Sequence, residues 1–361
     1  MRRMKRVKQG KTLSELAAEL TRQQEAKKDY LVEANAIEMV SRDNDVVISI
    51  DGLGNFGINE IAHSQLGTFV NIPAAYYERM RTSSPELLTQ NVNHWLRHRE
   101  NSDYRMLRTM DGSLRAFLSG KYRRIDNYEV AETVLPILTK VPDLQIMSCE
   151  ITNSRMYIKA VTPRIQADVT VGDVVQSGIV ISNSEVGMGS VSVNPLIYRL
   201  ACTNGMIIQD NSSLRKIHSG KTLSTDGYEI YRDETIEADD RAFLMKVEDT
   251  VNAALDGRTF DKVVSQMRTA KERKIGGAEL PKVIELTSKQ FGITQLESSG
   301  ILGHLIESGD LSQYGIANAV TRYSQDVDNY DRATDLEATG YRIITMSPRL
   351  WTTITETAKG V

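Results

Sequence analysis

Between Tyr104 and Arg124 the chain gathers the side-chain types that a phosphate backbone requires. Arg105, Arg108, Arg115, Lys121, Arg123 and Arg124 are cations, Tyr122 is an aromatic set among them, and Asp111 is the one acid. Six cations less one carboxylate leave a local charge of +5, in a chain whose formal net charge is −3. Arginine and lysine donate charge-assisted hydrogen bonds to phosphate oxygens, and a tyrosine between them can stack on a base. Alternation along a strand places Arg115, Phe117 and Ser119 on one side and Ala116, Leu118 and Gly120 on the other. Arg123 and Arg124 would then point opposite ways. The competing reading is a solvated edge strand whose charges discourage pairing with other chains. Composition alone does not choose between them.

A second stretch, 178-GIVISNSEVGMGSVSVNPLIYRLACTNGMIIQD-210, is the other informative one. Asn183-Ser184 and Gly187-Met188-Gly189 make a polar corner between apolar strands, and Asn204-Gly205 has the form favoured by tight hairpin turns. Glu185 is the odd charge, a candidate partner for one of the arginines. Arg199, between Tyr198 and Leu200, is expected to be partly buried and paired.

Other chemistry fails on spacing. Gly-Lys-Thr occurs at 10–12 and 220–222, but a phosphate-binding loop needs a glycine where Lys5 and Arg215 stand. His94 and His98 are four apart on a helix without a third ligand or the glutamate of a zinc protease, so a solvated face is expected. No GxSxG elbow occurs. Cys149 and Cys202 read as buried thiols in a reduced, cytoplasmic protein. Asp111, Asp126, Asp173, Glu185 and Asp210 would have to converge to hold Mg²⁺ for a nuclease, whereas Asp111-Gly112 and Asp126-Asn127 read more simply as turns. No cofactor and no catalytic residue is expected.

These residues need elements to hold them. The chain has 361 residues, enough for a sizeable core. Residues 1–9 carry five Lys or Arg, with no apolar stretch following as a signal peptide requires. No run approaches the ~20 apolar residues of a membrane span. Helical spacing runs through LSELAAELTRQQEAKKDYLVEA, with Thr12 or Ser14 as cap and Glu15 behind it. VVISID reads as a strand. Two short helices follow, the second opened by Pro73, and PELLTQNVNHWLRHRE is a third. Between about 105 and 235, short β-rich runs dominate, interrupted by one helix near 127–140 with Asn127 as cap. From about 236 the pattern is helical. The expected fold is α+β: a basic arm and helix (1–35), a core around a curved antiparallel sheet (36–235), and a mainly helical C-terminal part (236–361).

The runs LRTMDGSLRAFLSGKYRRIDN, SNSEVGMGS, YRLACTNGM and TRYSQDVDNYDRATDLEATG, with IPAAYYERM and NVNHWL upstream, resemble the phage- and plasmid-borne domain-of-unknown-function 932 family over roughly 55–345. That resemblance implies a mobile-element setting and brings no established activity. The expected architecture is also similar to the core of Rad-type single-strand annealing proteins, which hold DNA by its backbone in a basic groove without ATP and form rings or filaments. The sequence-level expectation is therefore a phage or plasmid single-stranded-DNA-binding and annealing protein. It would act as a homo-oligomer (ring or filament), with a phage exonuclease or single-strand-binding protein as further partner and no membrane. Arg105, Arg108, Arg115, Lys121, Tyr122, Arg123 and Arg124 would form the interface. The helices near 12–35 and 236–330 would supply subunit contacts. The alternative is a phage factor that binds or inhibits a host protein; a metal-dependent nuclease comes third.

Overall fold

A computed structural model describes residues 10–43, 45–98, 104–201, 203–209, 214–216, 233–254 and 257–360. Helix α1 (Leu13–Ala26) opens on a capping box in which Thr12 and Glu15 bond each other's backbone N–H. It stops at Ala26: Lys27 is already extended, and Lys28–Glu33 is strand β1 instead of more helix. Strands β2 (Ile37–Arg42), β3 (Asp45–Ile50) and β4 (Gly54–Ile58) follow. Then come helices α2 (Glu60–Phe69), α3 (Ala74–Ser83, with Pro73 as its cap) and α4 (Pro85–Arg97). Strands β5 (Tyr104–Met110) and β6 (Ser113–Ser119) turn on Asp111 and Gly112, both at positive φ, the conformation that fits the twist of a tight hairpin. Helix α5 (Asn127–Lys140) is capped one residue earlier than expected, by Asp126, whose backbone N–H bonds Glu129.

The second half holds β7 (Gln145–Ile151), β8 (Met156–Asp168), β9 (Val174–Asn183), β10 (Val191–Arg199), β11 (Asn204–Ile207) and β12 (Leu214–Lys216). Helices α6 (Asp233–Ala254), α7 (Gly257–Glu272), α8 (Leu280–Phe291), α9 (Gln295–Ser308), α10 (Gln313–Tyr323), α11 (Tyr330–Ile344) and α12 (Pro348–Lys359) complete it. The fold is α+β, with helices before and after the strands.

The strands divide into two sheets. One runs β1-β5-β6-β4-β3-β2 and is antiparallel except where β4 meets β6. Helices α2–α4 cover one of its faces over a core that includes Ile48, Leu66, Leu88, Leu107 and Phe117. The other runs β11-β10-β9-β8-β7, all antiparallel, with β12 also on β10. Its Ile158, Ile179, Ile181 and Val193 pack on α1, α5 and α6. Helix α11 crosses it elsewhere, where Val161, Leu196, Ile207 and Ala338 meet. The loop 184–190 between β9 and β10 reaches the face of the first sheet that α2–α4 leave uncovered, joining Val186 to Met106, Ala116 and Leu118.

Candidate functional site

At that seam the expected basic hairpin meets its partners. Asp29 on β1 stands directly across from Arg108 on β5, and strand pairing puts both side chains on one face. Arg108 Nε and Nη2 donate to the two Asp29 oxygens (2.8 and 3.1 Å), Nη2 also to Asp126 Oδ1 (2.7 Å), and Nη1 to the Glu185 carbonyl (3.0 Å). Arg108 is 2% exposed. Desolvation opposes its charge, but Asp126, Asp29 and Glu185 outweigh it and raise its pKa. Lys27 closes on the other Asp126 oxygen. Arg115 Nη1 lies 3.3 Å from Glu185 Oε2, and Glu185 Oε1 takes the Asn127 N–H at 2.6 Å.

Strict alternation would have put Arg115 beside Phe117. A bulge prevents it: the β5–β6 register skips Arg115, so it turns to the same side as Arg108, while Phe117 faces the core under α2. Arg105 lies on that opposite face, its guanidinium 4.3 Å from the Phe69 ring centre and 5.0 Å from that of Phe117. Tyr122 is folded inward, its hydroxyl donating to the Ser184 carbonyl at 3.1 Å, and burial chiefly raises its pKa. The expected seven-residue DNA interface is therefore split. Arg105, Arg108, Arg115 and Tyr122 are committed to the protein's interior. Strand β6 ends at Ser119, so Lys121, Arg123 and Arg124 lie in the connection to α5 and not on a strand. Lys121 and Arg124 are exposed, and Arg124 touches the cluster only through Asp29 at 3.6 Å.

Side chains from three directions fasten the glycine-containing loop. Its carbonyls at Ser184, Glu185, Val186 and Met188 accept from Tyr122, Arg108, Gln65 and Arg155. Gly187 has φ +75°, a backbone conformation that favours glycine, and a Cβ there would also press on the Leu118 side chain beneath the loop.

A second polar cluster lies under α11. Lys159 on β8 bonds Glu337 Oε2 at 2.6 Å and sits 4.7 Å from the Tyr330 ring centre. Tyr330 Oη and Ser148 Oγ are 2.7 Å apart. Desolvation of Lys159 is outweighed by Glu337 and Tyr330, so its pKa is raised. These residues line a chamber of about 40 Å³ with Tyr198, Thr203, Gly205 and Gln325, room for ordered water at most. On the far side of Tyr330 a more open cleft of about 450 Å³ is lined by Glu150, Thr152, Asp328 and Asp331. Asp331 accepts from Thr152, Ser154 and Tyr157.

Sequence reasoning missed Lys27, Asp29, Lys159, Tyr330 and Glu337. Lys159 carried a signal: it stands in the apolar run MYIKAV on the alternation of Tyr157 and Val161, where a lysine must be paired. The suspected pairings hold for Glu185 with Arg115 and for Arg199 with Asp173. Of the five scattered carboxylates, Asp126 and Glu185 both come to the seam, but each on an arginine, Asp126 on Arg108 and Glu185 on Arg115; Asp173 holds Arg199 and Tyr314, Asp111 holds Arg22, and Asp210 lies outside the described residues. Among the described residues no group of three or more His, Cys, Asp or Glu has the arrangement of a metal site. His94 and His98 stack on each other at an exposed face. Cys149 is buried, which raises its pKa to about 11; Cys202, the 220–222 triplet and the arm 1–9 fall outside the described residues. No described helix is long and apolar enough to cross a membrane.

A family model described as Domain of unknown function (DUF932) matches residues 116–342. The match takes in Lys121–Arg124, Asp126, Glu185, Lys159, Tyr330 and Glu337. No curated protein matches the chain, and no solved structure does.

Proposed function

We propose that this chain, which belongs to the DUF932 family, binds single-stranded DNA without ATP, as an oligomer, and presents it for annealing. The observation that carries the reading is the charge left over at the seam. Four cations (Lys27, Arg108, Arg115, Arg124) meet three carboxylates (Asp29, Asp126, Glu185), a balance of +1, and the exposed Lys121 adds one more beside them. Arg124 and Lys121 face solvent, and the buried network beneath fixes the loop that carries them. This is a small phosphate-contacting patch built around Lys121 and Arg124, with the buried arginines as its foundation. Backbone contacts of this kind bind without reading sequence.

The test is fluorescence anisotropy of a labelled ~40-mer at two salt concentrations, chosen because counterion release makes phosphate-dominated affinity steeply salt-dependent. The double variant Lys121→Ala/Arg124→Ala should weaken binding and reduce the salt slope by about two, one per lost phosphate contact. Absence of binding at low salt, or an unchanged slope in the variant, sinks the reading.

A further inference from the structure

Tyr122, the aromatic expected to stack on a base, is folded inward, but another aromatic stands on the same face of the sheet. In the β1–β5 ladder Asp29 lies across from Arg108, Leu31 from Met106 and Glu33 from Tyr104. Opposed residues share a face, and so do alternate residues along a strand. All six side chains therefore lie on the face that carries the seam. Arg108 is buried among its carboxylates, and Met106 is buried with Val186. Leu31 and Tyr104 are left 60% and 50% exposed. Tyr104 is nevertheless held in place. Its hydroxyl donates to Glu33 Oε1 at 2.9 Å, and its carbonyl accepts the Gly120 N–H at 2.9 Å. A Cβ on Gly120 would stand 3.0 Å from Tyr104 Cβ, so the turn runs against the foot of the ring. Exposed Lys121 follows directly. At the other end of the strip, exposed Arg124 reaches Asp29 at 3.6 Å. Two exposed cations thus bracket an exposed leucine and tyrosine, over a strip about 13 Å long from Asp29 to Glu33 at the ordinary strand rise.

We propose that Tyr104, with Leu31 beside it, is the surface on which a base of the bound single strand stacks. The inference rests on the DNA-binding reading above and extends it from phosphates to bases. Leu31 and Tyr104 are diagonal neighbours across the two strands, close enough for an aromatic side chain to bridge them. A ring so placed can take a base on its π-face while the phosphates on either side reach Lys121 and Arg124. Stacking accepts any base, just as backbone contacts accept any sequence, so the two kinds of contact suit one sequence-tolerant groove. Glu33 sets the path of the strand. Its carboxylate fixes the tyrosine hydroxyl at the edge of the ring and repels a phosphate there, which leaves the cationic ends of the strip for the backbone. A strip of two side chains is far short of the roughly 800 Å² per partner that a stable protein contact buries.

The experiment titrates the full chain and two variants against a labelled single strand, and against an abasic strand of the same length, at two salt concentrations. Tyr104→Ala should weaken binding to the normal strand by about fivefold to a hundredfold, the range of one lost base–aromatic stack. Its salt slope should match wild type, because no phosphate contact is removed, and its thermal melt should be unchanged. Tyr104→Phe keeps the ring and loses only the hydroxyl, and should bind like wild type. On the abasic strand wild type and Tyr104→Ala should bind alike. The proposal is overturned if Tyr104→Ala binds the normal strand as wild type does, if it loses as much on the abasic strand, or if Tyr104→Phe loses as much as Tyr104→Ala. A wild-type chain that binds no DNA overturns this inference and the reading beneath it together. Salt-dependent binding that Lys121→Ala/Arg124→Ala weakens and Tyr104→Ala does not would leave the phosphate patch standing and remove the stacking alone.

Discussion

The seam cluster and the chamber under α11 are both buried, both ionic and both built from residues far apart in the chain, yet they are different kinds of object. At the seam one guanidinium serves three acceptor groups from β1, the α5 cap and the 184–190 loop. Under α11 one ammonium serves one carboxylate, with a tyrosine ring and a small void beside it. An arginine fork can hold several elements in fixed geometry, whereas a lysine is a point charge that a single partner satisfies. The first is a joint between two sheets. The second is a single pair between strand β8 and helix α11, where apolar packing also joins the two, and could be exchanged for apolar side chains without disconnecting them.

Substitution separates them. Arg108→Met should be the most damaging change, because it leaves Asp29 and Asp126 buried without their main counter-charge and the Glu185 carbonyl without its donor. The expected loss is about 3–5 kcal/mol, with both sheets losing their common support. No single second substitution should restore it, since three separate partners were served. Chemical denaturation measures the loss, and a variant within 1 kcal/mol of wild type would remove the seam's claim to be a joint (a small effect by mutational standards).

Lys159→Met strands Glu337 in the same way, and alone should cost a similar order, about 3 kcal/mol. Here the contrast is sharpest in the double variant. Lys159→Met/Glu337→Leu replaces both charges and fills part of the chamber, and should return to within about 1 kcal/mol of wild type, since buried ion pairs are often replaceable by apolar packing. If the double variant stays as unstable as the single, the chamber is as integral as the seam and the comparison fails.

How much of this was legible in the sequence follows from the range of the interactions. The Thr12–Glu15 capping box, the Asp111-Gly112 turn and the helices α2–α5 are written in residues a few positions apart, and periodicity located them. Strand β1 was hidden because KKDYLVEA continues the spacing of α1, and only pairing with β5 makes it a strand. The facing of Arg115 was hidden by a bulge, which shifts parity without leaving any mark in residue type. The fate of Arg108 was hidden most deeply. Its acceptors Asp29 and Glu185 lie 79 and 77 residues away, so a dense local positive charge looked like surface when it was being neutralised from a distance.

The smallest of the effects comes from a buried pair that avoids charge altogether. On the helix-covered face of the first sheet, His63 Nδ1 and Tyr77 Oη are 2.9 Å apart and both residues are buried. Burial depresses the His63 pKa to about 4, Arg81 pushes it the same way, and Glu60, Asp45 and Glu78 oppose it weakly. The unfolded chain therefore binds a proton that the folded chain refuses, over the interval between the ordinary histidine value near 6.5 and about 4. Stability from this site is complete above that interval and declines as pH falls through it, by up to roughly 2–3 kcal/mol. The seam responds in a different window. Burial opposes ionisation of Asp126, but Arg108 and Lys27 outweigh it and lower its pKa, so its contribution is lost only below the ordinary aspartate range. Urea midpoints taken from pH 7 to pH 4 should thus fall in wild type and fall less in His63→Gln, while the steep loss below pH 4 persists in both. A His63→Gln profile identical to wild type would mean that His63 takes up its proton without opening the fold, and that the acid sensitivity of this molecule belongs to its ionic joints alone.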